Sequence, residues 1–574
     1  MTLAQSGPVR ERPSFAELYT PKLVTVLREG YDLGKLRGDL VAGLTVAIVA
    51  LPLSMAIAIA SGVSPDRGLY TAIVGGFLVS ALGGSRFQIG GPAGAFIVLV
   101  AATAAQHGVD GLLLATFLSG LMLMAVGWLR LGTFIKFIPY PVTVGFTAGI
   151  AVIILASQLK DMLGLTLGGP EPGELVPKLV ALGGALPSFN AAAILQALLA
   201  ILVILACRKW RPHWPAYLIA VAATAVVCAL LALPVETIGS RFGGIPGSLP
   251  APHLPDLSPA RIVEMLPAAV SFTLLGAIES LLSAVVADSM SGRRHRSNCE
   301  LVAQGAANVG SALFGGICVT GTIARTATNV RAGARGPVAG MLHALFLLAF
   351  MLVAAPLASY IPLAALAGVL ATVAWNMIAR DQMMTLLRAS RGDALVLAAT
   401  FLLVAFRDLS LGILVGFSLG ALLFLSRMAQ AIEVEGGSPM VEPDRADADR
   451  EGGRVPFAGS ASDDGDVTVC RISGAFFFGA AGVVSAALDR LGETRAYVID
   501  LSDVPMLDST GATTIEAFAR KIARRHARLY IAGARPSVRH MLHSHGVRPP
   551  EAHFRAQLAD ALAAARKAGE AAAG

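Results

Sequence analysis

From Leu40 to about Ile432 the chain is a succession of long apolar blocks, separated by short turns that hold many of its arginines. Apolar residues arranged in blocks, rather than at the spacing of a one-sided helix, are the pattern of helices that cross a bilayer. The pattern predicts spans near 40–60, 66–83, 92–105, 110–129, 137–158, 189–207 and 214–233. A second set is predicted near 265–289, 298–316, 323–334, 337–355, 358–378, 392–407 and 410–430. Residues 1–39 are polar and of mixed charge, without the look of a cleaved leader, and are expected in the cytoplasm. Residues 433–466 are acidic and rich in Gly, Pro and Asp, a linker composition. From Val467 to Gly574, strands alternating with amphipathic helices predict a small soluble α/β unit.

Two of the apolar blocks are interrupted. The stretches Phe87–Phe96 and Val319–Thr328 each read as a short strand that stops inside the membrane and restarts as a half-helix. Gly90, Gly91 and Gly94 permit close backbone approach, and Pro92 suits a first helical turn, where its missing N–H costs nothing. The first amides of a helix lack internal partners and carry roughly half a positive charge from the macrodipole. Two such ends facing each other make an anion cradle. A Gly/Pro kink that only eases packing would explain one break. Two breaks at corresponding positions of the two halves favour a site in which a solute binds near the bilayer midplane. Seven spans in each half make the halves inverted, and with the N-terminus inside, residues such as Arg86, Arg130, Arg208, Arg293, Arg296, Arg335 and Arg391 fall at or near cytoplasmic turns.

Composition narrows the class. The 574 residues are 55% hydrophobic and 14% charged, with a mean hydropathy of +0.68, which leaves too little polar surface for a soluble protein of this length. The net charge of +7 is accounted for by loop arginines of a membrane protein rather than by a nucleic-acid surface. Cys207, Cys228, Cys299, Cys318 and Cys470 lack ligand spacing, so neither a zinc site nor a disulfide framework is expected. No cofactor and no enzymatic activity are expected.

Inside the spans, ionisable groups carry the chemistry. Glu279 lies deep in the eighth span, where a carboxylate is costly and by default functional. Arg325, at the restart of the second break, is its expected partner. In that scheme ionised Glu279 neutralises Arg325, and protonation frees Arg325 to bind an anion, so proton and anion move in the same direction. A permanent salt bridge between two helices is the structural alternative. A sodium site is disfavoured by the fixed charge of Arg325. His343 is expected as a hydrogen-bonded packing residue rather than a proton relay, Asp288 as a cap or local partner, and Asn329 and Arg331 as binders of backbone and lipid headgroups. Gly474–Gly479 lacks the lysine and hydroxyl that a phosphate loop needs.

These residues resemble a known family. Leu40–Ala47, Glu279–Asp288, Glu300–Asn308 and Ile323–Gly336 are similar to the SulP (sulfate permease) anion transporters, and the run from Gly321 to Pro337 is specific by itself. The similarity spans nearly the whole chain, and its C-terminal unit looks like a STAS domain. It implies an α-helical polytopic membrane protein with fourteen spans in two inverted repeats of seven, core and gate domains, a homodimer, and an elevator-like movement. The site carried over comprises Leu53 and Ile57 of the first span, Ala93, Gly94, Ala95 and Phe96 of the third, Glu279 of the eighth, and Ala324, Arg325 and Thr326 of the tenth. Many members have glutamine at the position of Leu53 and an aromatic at that of Ile57, so this chain has an aliphatic wall there. The expected activity is proton-coupled symport of sulfate or a small dicarboxylate such as succinate or fumarate, in a bacterial cytoplasmic membrane with both termini inside. The alternatives are sodium-dependent bicarbonate symport or an uncoupled anion exchanger or channel. In the STAS unit, Asp508-Ser509-Thr510-Gly511 opens a helix, and Ser509 matches the phosphorylated serine of related regulators. A helix cap is the favoured reading of this loop. The resemblance gives the unit dimer contact, trafficking or binding of a cytoplasmic protein as its roles.

Overall fold

The computed structural model describes residues 14–132, 139–169, 171–211, 214–407, 409–430, 433–436, 467–489, 491 and 493–570. The chain forms two compact units, 1–418 and 419–574. Among the described residues, eight helices are long and apolar enough to cross a membrane, and shorter ones complete fourteen segments in the predicted order. Span 1 is Leu33–Ala60 and span 2 covers 65–82. Spans 3 and 4 form one rod, 94–128, which turns at Gly108, where φ is +70° and only glycine is at ease. Spans 5 to 7 are Tyr140–Leu163, Ala191–Trp210 and Ala216–Leu231. Spans 8 to 11 are Pro259–Ser291, Ser297–Leu313, Ile323–Arg331 and Val338–Ala358. Spans 12 to 14 are Leu363–Met377, Arg391–Phe406 and Leu409–Gln430.

The first unit sorts into two packing groups. Spans 1 to 4 pack with spans 8 to 11, and spans 5 to 7 pack with spans 12 and 13; span 1 also touches spans 7 and 12. Small residues set the closest crossings. A Cβ on Gly305 would stand 2.5 Å from the carbonyl oxygen of Gly120, and one on Gly120 would stand 2.7 Å from that of Gly305, so spans 4 and 9 meet backbone to backbone.

Three features depart from the sequence expectations. Thr71–Gly75 in span 2 is a π-turn. Short helices Leu175–Ala185 and Arg380–Ala389 join spans 5 to 6 and spans 12 to 13, the same place in each half. Both are too short to read as spans, 11 and 10 residues, so block-length reading passes over them. Finally, Glu433–Gly436, read as the start of a linker, is a strand. Its Glu-Val-Glu-Gly sequence is too short and polar to announce itself, and backbone pairing with the next strand makes it one.

The second unit holds a five-stranded sheet of β3 (Glu433–Gly436), β4 (Val467–Ser473), β5 (Ala496–Asp500), β6 (Arg528–Ala532) and β7 (Ala552–Arg555), in that order. The first pair is antiparallel and the rest are parallel. Tyr497, Ile499 and Leu501 face the helices Phe478–Asp489, Ser509–Ala523 and Pro536–Ser544. Ala496 and Val498 face the helix Leu558–Glu570. Helices on both faces explain why β5 is buried at every position, as parallel strands usually are.

Candidate anion site between two broken spans

The two breaks meet. Gly90–Gly91 (β1) and Thr320–Gly321 (β2) pair antiparallel, Gly90 opposite Gly321 and Gly91 opposite Thr320. The pairing continues one residue further, where the Thr322 amide donates to the Ile89 carbonyl at 3.0 Å. The hydroxyl of Thr326 accepts from the Ile89 amide at 3.1 Å, binding the start of span 10 to the first break. Beyond the strands, Gly94–Phe96 starts span 3 and Ile323 starts span 10. Pro92, expected in the first helical turn, instead belongs to the extended stretch before it. A two-residue ladder thus holds two helix N-termini close together, and neither end carries a side-chain cap. Their free amides and dipoles favour a negative solute.

One helix holds both breaks. Span 9 carries Glu300, Gln304, Asn308 and Ser311, all buried and spaced along one stripe. Glu300 accepts from the Ser85 amide at 2.9 Å and from the Gln304 side chain at 3.0 Å, fixing the entry to the first break. Asn308 grips Val319 twice, its Nδ2 donating to the carbonyl at 2.8 Å and its Oδ1 accepting from the amide at 2.9 Å. Its carboxamide stands in for a neighbouring strand. Ser311 donates to the Ile317 carbonyl at 2.7 Å, and the Ile317 amide donates to Thr71 of the π-turn, also at 2.7 Å. Apart from the Gln304–Glu300 pair, each of these bonds satisfies backbone that lipid could not. In one dimension Glu300–Asn308 stands out only as a family signature; the polar residues four apart at Glu300, Gln304 and Asn308 are the signal for this role.

Leu53, Ile57, Ala93, Ala95 and Phe96 are all buried in the main apolar core of the membrane unit. Phe96 meets Phe272 of span 8 edge to face at 6.0 Å. A Cβ on Gly94 would lie 3.4 Å from Ile154 Cδ1 and 3.8 Å from Met377 Sδ, so spans 5 and 12 close over the start of span 3. Ala324 is exposed while Arg325 and Thr326 beside it are buried.

The expected ion pair between Glu279 and Arg325 is not formed. Arg325 turns to span 1, where its Nη2 donates to Ser54 Oγ at 3.1 Å. Helical geometry is the reason. Thr326 faces span 8, accepting from Ser283 at 3.1 Å, and the preceding residue points about 100° away from it. Glu279 is 8% exposed, and its Oε2 has no hydrogen-bond partner. Contacts of span 8 with the second break run instead through Ser280, which meets the Thr320 hydroxyl at 2.8 Å, and through Ser283. His343 is fully buried, but neither ring nitrogen has a hydrogen-bond partner, unlike the packing histidine that was expected. Asn329 donates to the Phe87 carbonyl at 2.9 Å, and Asp288 pairs with His295 at 2.7 Å.

In the second unit, Asp508 caps the helix Ser509–Ala523 by accepting from the Gly511 amide at 2.8 Å, and it also accepts from the Phe478 amide at 2.9 Å. Ser509 is the first helical residue and is exposed. Buried Asp500 accepts from Arg471 Nε at 2.9 Å and from the amide and hydroxyl of Ser502 at 3.0 and 2.6 Å. Burial works against its charge, but the bonds from Ser502 and Arg471 outweigh it and hold the carboxyl below the usual range.

Comparison with known proteins identifies the family and the fold. Residues 36–400 match the model of the sulfate permease family, and residues 460–561 match that of the STAS domain. A putative sulfate transporter of Bacillus subtilis, YvdB, is 39% identical over 90% of this chain and 95% of its own length. The bicarbonate transporter BicA of Synechocystis is 32% identical over 87% of this chain and 88% of its own. Among solved structures, the transmembrane domain of a cyanobacterial BicA covers 68% of this chain and 98% of that one, with a TM-score of 0.59 and 32% identity. The murine solute carrier 26 family member A9, an anion transporter in its inward-facing state, covers 98% of this chain and 97% of that one. Its TM-score is 0.83 at 18% identity, which shows a shared fold. The chain is a multi-pass membrane protein of the sulfate permease family of anion transporters, with a C-terminal STAS domain.

Proposed function

We propose that this protein is a secondary active symporter that moves sulfate or a small dicarboxylate together with a proton, as a homodimer in the cytoplasmic membrane with both termini inside. The observation that carries this reading is the pair of half-helix N-termini held face to face by β1 and β2, with the guanidinium of Arg325 beside them. The anion is held by the amides at Ala93–Ala95 and Ala324–Arg325, ahead of the first backbone bonds that Phe96 and Thr326 make to Ala93 and Thr322, with Leu53 and Ile57 as an apolar wall that excludes water. Glu279 is the proton carrier. Glu279 precedes Ser280, whose hydroxyl meets that of Thr320 in the second break, and one of its carboxylate oxygens is unpartnered, which supports a role in which protonation removes a negative charge near the anion. Coupling acts through the electric field at the site rather than through a Glu279–Arg325 pair. The two packing groups, spans 1 to 4 with 8 to 11 against spans 5 to 7 with 12 and 13, supply the bodies that shift relative to each other. Similarity to a putative sulfate transporter supports sulfate. The STAS unit contributes dimer contact or binding of a cytoplasmic protein, and exposed Ser509 is a site where phosphorylation would regulate it.

Similarity to a bicarbonate transporter supports a second reading, in which bicarbonate is the solute and sodium the driving ion. Uptake of labelled sulfate, succinate, fumarate and bicarbonate into proteoliposomes separates the two. The expected result is sulfate or dicarboxylate uptake accelerated by an inward proton gradient. Bicarbonate uptake that requires sodium would establish the second reading, and uptake indifferent to both gradients would leave an uncoupled exchanger or channel.

A further inference from the structure

We infer that Ser54 is the positioning residue for Arg325, setting where the guanidinium stands and thereby how strongly the site prefers doubly charged anions. The inference rests on the proposed anion site and adds to it a residue that no motif singled out.

Three observations converge on Ser54. First, its hydroxyl accepts from Arg325 Nη2 at 3.1 Å, across 271 positions of sequence, and the residues are 0% and 1% exposed. Second, Nε and Nη1 of Arg325 have no hydrogen-bond partner, so Ser54 supplies the one hydrogen bond that anchors this guanidinium among the described residues. A buried guanidinium left with unused donors is costly unless it has a ligand to meet. Third, the opposite side is blocked by backbone: a Cβ on Gly91 would lie 2.2 Å from Nη1. Arg325 is therefore held between a hydroxyl of span 1 and the bare backbone of β1, next to the N-terminus of span 3.

The consequence concerns specificity. Leu53 and Ile57 line span 1 without any hydrogen-bonding atom, so the polar contribution of span 1 is made indirectly, one residue along, through the arginine. Loss of the anchor lets the long side chain sample other rotamers, and its charge is then less available at the site. Attraction to a fixed positive charge grows with the charge of the anion. A displaced guanidinium therefore weakens a dianion more than a monoanion.

The test uses the full-length protein in proteoliposomes with labelled sulfate, comparing wild type, Ser54→Ala and Ser54→Thr. Thermal melts in detergent, with and without added sulfate or bicarbonate, report folding and ligand stabilisation. Ser54→Ala is expected to raise the KM for sulfate about tenfold, with Vmax within about twofold, as befits one lost hydrogen bond to a charged group. Stabilisation by sulfate should fall more than stabilisation by bicarbonate, and Ser54→Thr, which keeps the hydroxyl, should stay near wild type in both. An unchanged KM in Ser54→Ala would overturn the inference. So would equal losses for the two anions, or a Thr variant that folds normally yet behaves like Ala. Absence of sulfate, dicarboxylate and bicarbonate uptake in the wild type would instead overturn the functional reading itself, and the inference with it.

Discussion

Glu279 and Asn308 sit in neighbouring spans of one core and do opposite kinds of work. Glu279 has a carboxylate oxygen without a hydrogen-bond partner, while both polar atoms of the Asn308 amide are bonded to Val319. Replacing Glu279 by Gln keeps the shape and removes the titrating group. Sulfate uptake is expected to continue but to lose its acceleration by an inward proton gradient, measured as initial rates at two external pH values. In Asn308→Asp, an acceptor replaces the donor that faces the Val319 carbonyl, leaving a repulsive contact at the root of β2. The expected cost is about 1–3 kcal/mol, seen as a lower melting temperature and, among the molecules that remain folded, a higher KM for the anion. Neither Asn308 nor Ser54 was legible as a site residue. An asparagine in a helix and a serine beside an aliphatic wall are unremarkable in one dimension, and their roles depend on which backbone or side chain arrives opposite.

At the scale of elements, the spans were legible because lipid imposes a length and a polarity on every segment that crosses it. The breaks were legible for a related reason: glycine, proline and threonine clustered inside an apolar block cannot continue as an ordinary span. Less visible were the π-turn Thr71–Gly75 and the helices Leu175–Ala185 and Arg380–Ala389. The π-turn packs against the second break, where a Cβ on Gly75 would meet Val319 Cγ2 at 2.3 Å, so its geometry answers to a neighbour rather than to its own residues. Close crossing of spans 4 and 9 yields a sharp prediction. Gly305→Val, whose Cβ would stand 2.5 Å from the Gly120 carbonyl oxygen, should lower the melting temperature and reduce uptake, at a cost of about 1–3 kcal/mol. Gly168→Val, with nothing within 4 Å of its Cβ position, should leave both near wild type.

For the molecule as a whole, the STAS unit offers a separate handle on stability. The Asp500 carboxyl is held below the usual range in the folded state, so it contributes stability at pH values above about 4, its unfolded value. That contribution fades as pH falls through the lowered native value. Hydrogen exchange on the full-length protein should show amides of β5 and β6 losing protection as the medium is acidified below about pH 4. Asp500→Asn should lower protection at neutral pH and flatten this acid dependence. In the membrane unit, the separation of two packing groups predicts that cross-linking span 1 to span 12 will arrest uptake while leaving the melting temperature unchanged or higher. Uptake that persists through such a cross-link would count against movement of one group past the other.

What the sequence by itself determined is whatever depends on local composition and spacing. The number and order of the spans, the two interruptions, the presence of a C-terminal α/β unit and the family all follow from residues read in a row. What only the tertiary structure decided is direction. Arg325 was visible as a buried charge, but whether it turned to Glu279 or to Ser54 depended on the rotation of span 10 against spans 1 and 8, which Thr326 and Ser283 set. In the same way, Glu433–Gly436 becomes a strand only because β4 lies alongside it. Hydrophobicity is a property of each residue, whereas a hydrogen bond needs two, and the second partner lies up to hundreds of positions away.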